Sequence, residues 1–219
     1  MKNLHLLAVV PWIAIACRPL EATPLTRAVV AEDNRAVARL LNSGAPPDEG
    51  ELRPIVWAAR TGNREAIRLL AKAGADVNRE DGGNRWTPIQ HAVHKRQADA
   101  IATLIELGAD PDRRADNGPT ALMMAAGYGD LASFNVLLEH GANPGIEISP
   151  GINALWAALG GGAIADITDG PPLGSCFPEI VAKIRETAPR LKLARNGETK
   201  AMRWIAKKGC AALIEASLE

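Results

Sequence analysis

The chain has 219 residues and sets 25 Lys+Arg against 25 Asp+Glu, which excludes a strongly basic nucleic-acid coat protein and an acidic disordered tail. With 47% hydrophobic but only 4% aromatic residues, 20 Gly and 15 Pro, its core has to be built from Ala, Leu, Ile and Val, which suits short helices better than a sheet sandwich. Three cysteines exclude a dense disulfide scaffold.

Met1-Lys2-Asn3 is a short positive start, and Leu4 to Ala16 is apolar except for His5 and kinked by Pro11. Such a run falls short of the ~20 residues needed to span a bilayer. It ends in Ala14-Ile15-Ala16, the small-x-small pattern read by signal peptidases, so residues 1–16 are read as a cleaved export signal, with a buried N-terminal helix as the alternative. Ala14-Ile15-Ala16-Cys17 also resembles a bacterial lipobox, with Ala14 where Leu is usual. The tetrapeptide satisfies both a lipoprotein acylated at Cys17 and a soluble periplasmic or secreted form, with residues 17–22 as a short tether. Acylation would leave Cys176 and Cys210, which an oxidising compartment would let pair, or which serve as two small buried hydrophobes.

A period of about 33 residues organises the rest. Segments begin at Thr23-Pro24-Leu25, Arg53-Pro54-Ile55, Thr87-Pro88-Ile89 and Thr120-Ala121-Leu122, and each reaches a Gly-Ala pair 21 residues on: Gly44, Gly74, Gly108 and Gly141. Alanine sits five residues in (Ala28, Ala58, Ala92, Ala125) and leucine seventeen in (Leu40, Leu70, Leu104, Leu137). A fifth start, Asn153-Ala154-Leu155, keeps Ala158. Thr is suited to cap a helix N-terminus and Pro to follow it without wasting an N–H. Alanine permits close helix approach, leucine fills the space between units, and glycine takes the left-handed conformation that ends the second helix.

The pattern T-P-L-H-x-A-A-x-x-G followed by L-L-x-x-G-A-D, matched clearly over residues 23 to about 158, resembles the ankyrin repeat family. The resemblance implies an all-α solenoid of about five to six helix-turn-helix units joined by β-turn fingers, and protein–protein recognition as the function. Repeats are expected near 23–50, 51–84, 85–117, 118–150 and 151–193, within a domain spanning 23–219. Arg53 removes one cap, Pro46 replaces an expected Asp, and Gly82 to Trp86 makes an irregular finger. Residues 160–177, opening with Gly160-Gly161-Gly162, read as an insertion between the two helices of the fifth repeat, followed by a helical stretch from Pro178 to Thr187. Residues 194–219 read as a degenerate C-terminal cap.

Residues with catalytic or metal-binding potential do not assemble into a site. His91 and His94 are three apart on a first helix, but no Cys or carboxylate at ligand spacing completes a zinc site. His140 suits a helix C-terminus. Gly160-Gly161-Gly162 lacks the Lys-Ser or Lys-Thr of a phosphate loop, and Ser175 is in no nucleophile elbow. No cofactor or metal is expected. An enzymatic alternative would draw on Asp166, Asp169 and Cys176 in the insertion, with nothing to hold them on a rigid element.

The family's register assigns the concave surface used for partners to Trp57, Arg60, Thr61, Trp86, His94, Lys95 and Tyr128. Trp, Tyr and Arg dominate interface energetics, although Trp57 or Trp86 could instead pack against a neighbouring finger. Charge is bipolar: residues 17–182 carry a net −6 and residues 183–208 a net +7. The basic segment is a candidate contact for an acidic protein patch or anionic lipid, or simply a solvated helical face. The expectation is a monomeric, non-enzymatic, exported binding module with a protein partner and no nucleic acid. It would be an inhibitor of a toxic or lytic enzyme or, alternatively, a scaffold or protective companion of a periplasmic enzyme.

Overall fold

A computed structural model describes residues 22–50, 53–114, 118–160, 176–193, 210 and 212–213. The export signal, Cys17, Asp166 and Asp169, most of the 160–177 insertion and nearly all of the C-terminal cap lie outside the described residues.

Among the described residues ten helices follow one another: α1 (Pro24–Val30), α2 (Asn34–Asn42), α3 (Pro54–Thr61), α4 (Arg64–Lys72), α5 (Pro88–His94), α6 (Ala98–Glu106), α7 (Ala121–Tyr128), α8 (Leu131–Glu139), α9 (Ala154–Gly160) and α10 (Pro178–Thr187). Odd-numbered helices pack side by side in one row and even-numbered helices in a second, giving a two-layer, all-α solenoid. Among the described residues there is no strand, only an isolated bridge between Ser149 and Ile152. No described helix is long and apolar enough to cross a membrane.

The inner helices begin on side-chain caps. Thr23, Thr87 and Thr120 accept the N–H groups of Thr26, Gln90 and Met123 at 3.1, 3.4 and 3.2 Å. Gln90 completes a capping box by accepting the Thr87 N–H at 2.8 Å, and its amide donates to Pro119 O of the next repeat at 2.8 Å. Asn153 substitutes for threonine in the fifth repeat, its Oδ1 accepting the N–H groups of Leu155 and Trp156. Arg53 supplies no cap; its guanidinium instead straps two fingers together by donating to Asp48 O and Glu80 O. The outer helices use Asp33, Asn63 and Asp130 in the same way.

Small residues let the inner row close up. Ala58, Ala92, Ala125 and Ala158 are all at 0% exposure, and Leu70, Leu104 and Leu137 fill the space between layers. Leu40 is only half-buried: among the described residues α2 has an outer-row neighbour on one side alone.

A second order runs along the fingers. Asp48, Asn78 and Asp112 each stand four residues after the helix-ending glycine. Each side chain accepts a backbone N–H of the following repeat, from Asp76, Asp110 and Asn143 at 3.1, 2.8 and 2.9 Å. At the same position in the fourth repeat stands Gly145, which has no side chain, and the ladder stops. Beyond it lies a cavity of about 580 Å³ between Asn143, Pro144 and Gly145 and the residues that follow α10.

Candidate functional site

The second finger, between α4 and α5, closes when the Asp81 N–H donates to Trp86 O at 3.0 Å, with Arg85 at φ 61° making the reversal. Glu80 holds it from outside through Arg85 at 3.1 Å and Arg113 at 3.8 Å. This closure sets the Asp81 carboxylate and the Trp86 ring against α5.

There they meet His91, which is 3% exposed. Its Nε2 lies 2.6 Å from Asp81 Oδ2, and its Nδ1 lies 3.2 Å from Arg60 Nη1 on the preceding inner helix. An arginine can only donate, so Nδ1 is the acceptor and Nε2 carries the proton that goes to Asp81. Burial pushes the Asp81 carboxyl up, but the His91 hydrogen bond, with the backbone N–H groups of Arg85 and Gly83, outweighs it and holds the carboxyl below the ordinary range. Arg60 lies over the Trp57 ring, 5.2 Å from its centroid.

The aromatic side continues the row. Trp86 is 5.4 Å from His91 and 5.3 Å from His94 between ring centroids, and His94 is 5.9 Å from Tyr128. His94 Nδ1 and the Tyr128 hydroxyl are 3.0 Å apart. Arg96 donates to Tyr128 O at 3.0 Å and faces the Asp130 carboxylate at 3.9 Å.

Of the residues assigned to the concave surface, Trp57, Arg60, Trp86 and His94 come together, with half-buried Lys95 at the C-cap of α5 beside them. One assignment needs correction. Tyr128 is 4% exposed, because His94 and Arg96 of the preceding repeat close over it; it supports His94 from beneath and offers a partner almost no surface. The Thr61 hydroxyl is turned back on its own helix, donating to Trp57 O and Ala58 O. Asp81 and His91 were missed as members of this row. His91 carries the signal that could have found it, since it stands at the register Trp57 has in the previous repeat, four residues after the segment starts Thr87 and Arg53.

No group of three or more His, Cys, Asp or Glu that could hold a metal occurs among the described residues. Cys176 is bonded to Cys210, which removes the thiol from the enzymatic alternative. Of the basic C-terminal segment, Lys183 is bound to Glu186 at 2.9 Å; the residues from 194 to 208 lie outside the described residues.

A family model for ankyrin repeats in three copies matches residues 4–81 and 79–148, its first match beginning inside the stretch read as an export signal. The chain is 33% identical over 89 residues, 37% of its length, to mouse 2-5A-dependent ribonuclease, 12% of which is covered. It is 29% identical over 144 residues, 63% of its length, to the Caenorhabditis elegans ankyrin repeat and KH domain-containing protein mask-1, 6% of which is covered. It is 41% identical over 61 residues, 28% of its length, to human protein phosphatase 1 regulatory subunit 27, with 39% of that protein covered. The chain spans about a tenth of the length of the first relatives it matches.

Proposed function

Since the chain belongs to the ankyrin-repeat family, whose repeats are generally protein-binding modules, we propose that it docks a partner protein on the inner-helix face of its second and third repeats. The observation that carries this reading is the row Trp57, Arg60, Trp86 and His94. In a chain with only five Trp, two of them stand on one face, with a guanidinium stacked on one and two imidazoles against the other. Large rigid rings and a stacked arginine are the groups that carry interface energy at low entropic cost.

The finer reading is an exported module that inhibits a toxic or lytic enzyme of the cell envelope. Its support is the apolar stretch ending in Ala14-Ile15-Ala16-Cys17 and the small size of the repeat array. The alternative is a scaffold or protective companion of an envelope enzyme.

The test is site-specific photo-crosslinking in cells of the source organism, with a photoreactive phenylalanine at Trp57 or Trp86 and, as reference, at Lys72 on α4 of the outer row. A discrete adduct from the first two positions and none from the third supports docking on this face. Adducts from position 72 alone, or from none of the three, would sink it.

A further inference from the structure

Arg60 differs from the arginines around it. Arg53 and Arg114, half-buried as it is, donate to backbone carbonyl oxygens, and the exposed Arg64, Arg68, Arg85, Arg96 and Arg113 each lie within 4.0 Å of a carboxylate. Arg60 makes one hydrogen bond, to a ring nitrogen, and stacks on one aromatic face. Of the five N–H donors on a guanidinium, four have no acceptor among the described residues. Taking a charge partly out of water without an opposite charge costs free energy unless something completes the site.

The guanidinium is also held. Its Cζ lies over the Trp57 ring, His91 Nδ1 fixes one corner at 3.2 Å, and His91 is itself locked at 2.6 Å by Asp81 and packed against Trp86. The nearby carboxylates are spoken for, Asp81 by His91 and Asp130 by Arg96. The planar fork is therefore already oriented and touches no carboxylate among the described residues, and planar forks match carboxylates in two-point geometry.

We infer that Arg60 is the anion receptor of the docking face, taking an Asp or Glu side chain of the partner between Trp57 and Trp86, with Asp81 and His91 as the positioning residues that hold the fork in place. This rests on the docking reading above and narrows its partner to one that presents an acidic side chain.

The test uses the full chain, labelled for NMR, and the probes acetyl-Gly-Glu-Gly-amide, its Gln counterpart and inorganic phosphate. The Glu peptide should move the Arg60 side-chain N–H and the Trp57 indole resonance together, and the Gln peptide should move neither. R60Q should lower the affinity about tenfold or more, the size expected for a charge-assisted pair, while R60K keeps part of it. H91Q should weaken binding less than R60Q and broaden the Arg60 resonance, a signature of a lost positioning bond. Unchanged circular dichroism of each variant separates these losses from unfolding. Movement at surface arginines such as Arg35 and Arg79 with Arg60 unmoved would overturn the inference. A stronger response to phosphate than to the Glu peptide would overturn the carboxylate assignment. Crosslinks at Trp86 together with a silent Arg60 would leave docking standing and remove the receptor; a responsive Arg60 with no crosslink would do the reverse.

Discussion

The ring of Phe177 occupies the space in which a side chain at Gly129 would stand: a Cβ built on Gly129 would collide with the Phe177 Cε1. Gly129 ends α7 at φ 66°, and the Phe177 N–H donates to Ala158 O at 3.0 Å, so the ring at the start of the fifth repeat's outer helix is lodged against the fourth repeat. Gly129→Ala meets both a left-handed backbone and an occupied site. It should cost about 2 kcal/mol or more in urea unfolding. Phe177→Ala should recover part of that loss in the double variant, and simple additivity would show that the two positions are not in contact.

The Asp81–His91 pair predicts a pH dependence with a definite sign. A carboxyl held below its unfolded value contributes stability that is present above about pH 4 and is lost as pH falls through its lower folded value. Asp81→Asn should therefore cost about 1 kcal/mol at pH 7. The gap to the parent protein should close as the pH is lowered through the acid range, read from urea midpoints at several pH values. A gap that stays constant down to pH 2 would show that the charge of Asp81 has no part in it.

Asp112 predicts the opposite sign. Burial and the neighbouring Asp110 push its carboxyl up, against the lowering effect of the Asn143 N–H. Its ionised form is thus a small burden that grows as pH rises through its unfolded value and above. Asp112→Asn keeps the acceptor for Asn143, as Asn78 does for Asp110 one repeat earlier. It should raise stability at pH 7 by no more than about 0.5 kcal/mol, since solvent screening keeps the effect small. A lower thermal midpoint would contradict this.

The Cys176–Cys210 bond closes a sequence separation of 34 residues at the last repeat. Loop closure of that length stabilises by about 4 kcal/mol at most. In a linear array each repeat contacts only its neighbours, so the loss on Cys210→Ser should be local. Hydrogen exchange should speed up in α9 and α10 and stay unchanged in α3 and α5; uniform acceleration would mean that the array unfolds as one unit.

The repeat spacing made the fold class legible, because cap, alanine, leucine and glycine each answer a steric demand that recurs at fixed offsets. Trp57, Arg60, Trp86 and His94 could be placed on one face for the same reason. Asp81 could not, since its approach to His91 depends on the Asp81-to-Trp86 closure of an irregular finger, which no repeat pattern specifies. Tyr128 was misjudged because its cover comes from Arg96, a non-glycine residue at φ 56° in the preceding repeat. Register gives the direction of a side chain from its own helix; whether a neighbour then closes over it is decided elsewhere.

The rungs along the fingers give the array a grammar. Each repeat from the first to the third lends an acceptor to its successor, the fourth receives one, and Gly145 lends nothing onward. Neighbours are therefore not interchangeable: shuffling the order of repeats would set Gly145 before a finger that needs an acceptor and strand Asp48 or Asn78 beside one that does not. A permuted array could keep its helices and still lose its spacing at the finger edge, so the order in which these units occur is itself part of what the sequence encodes.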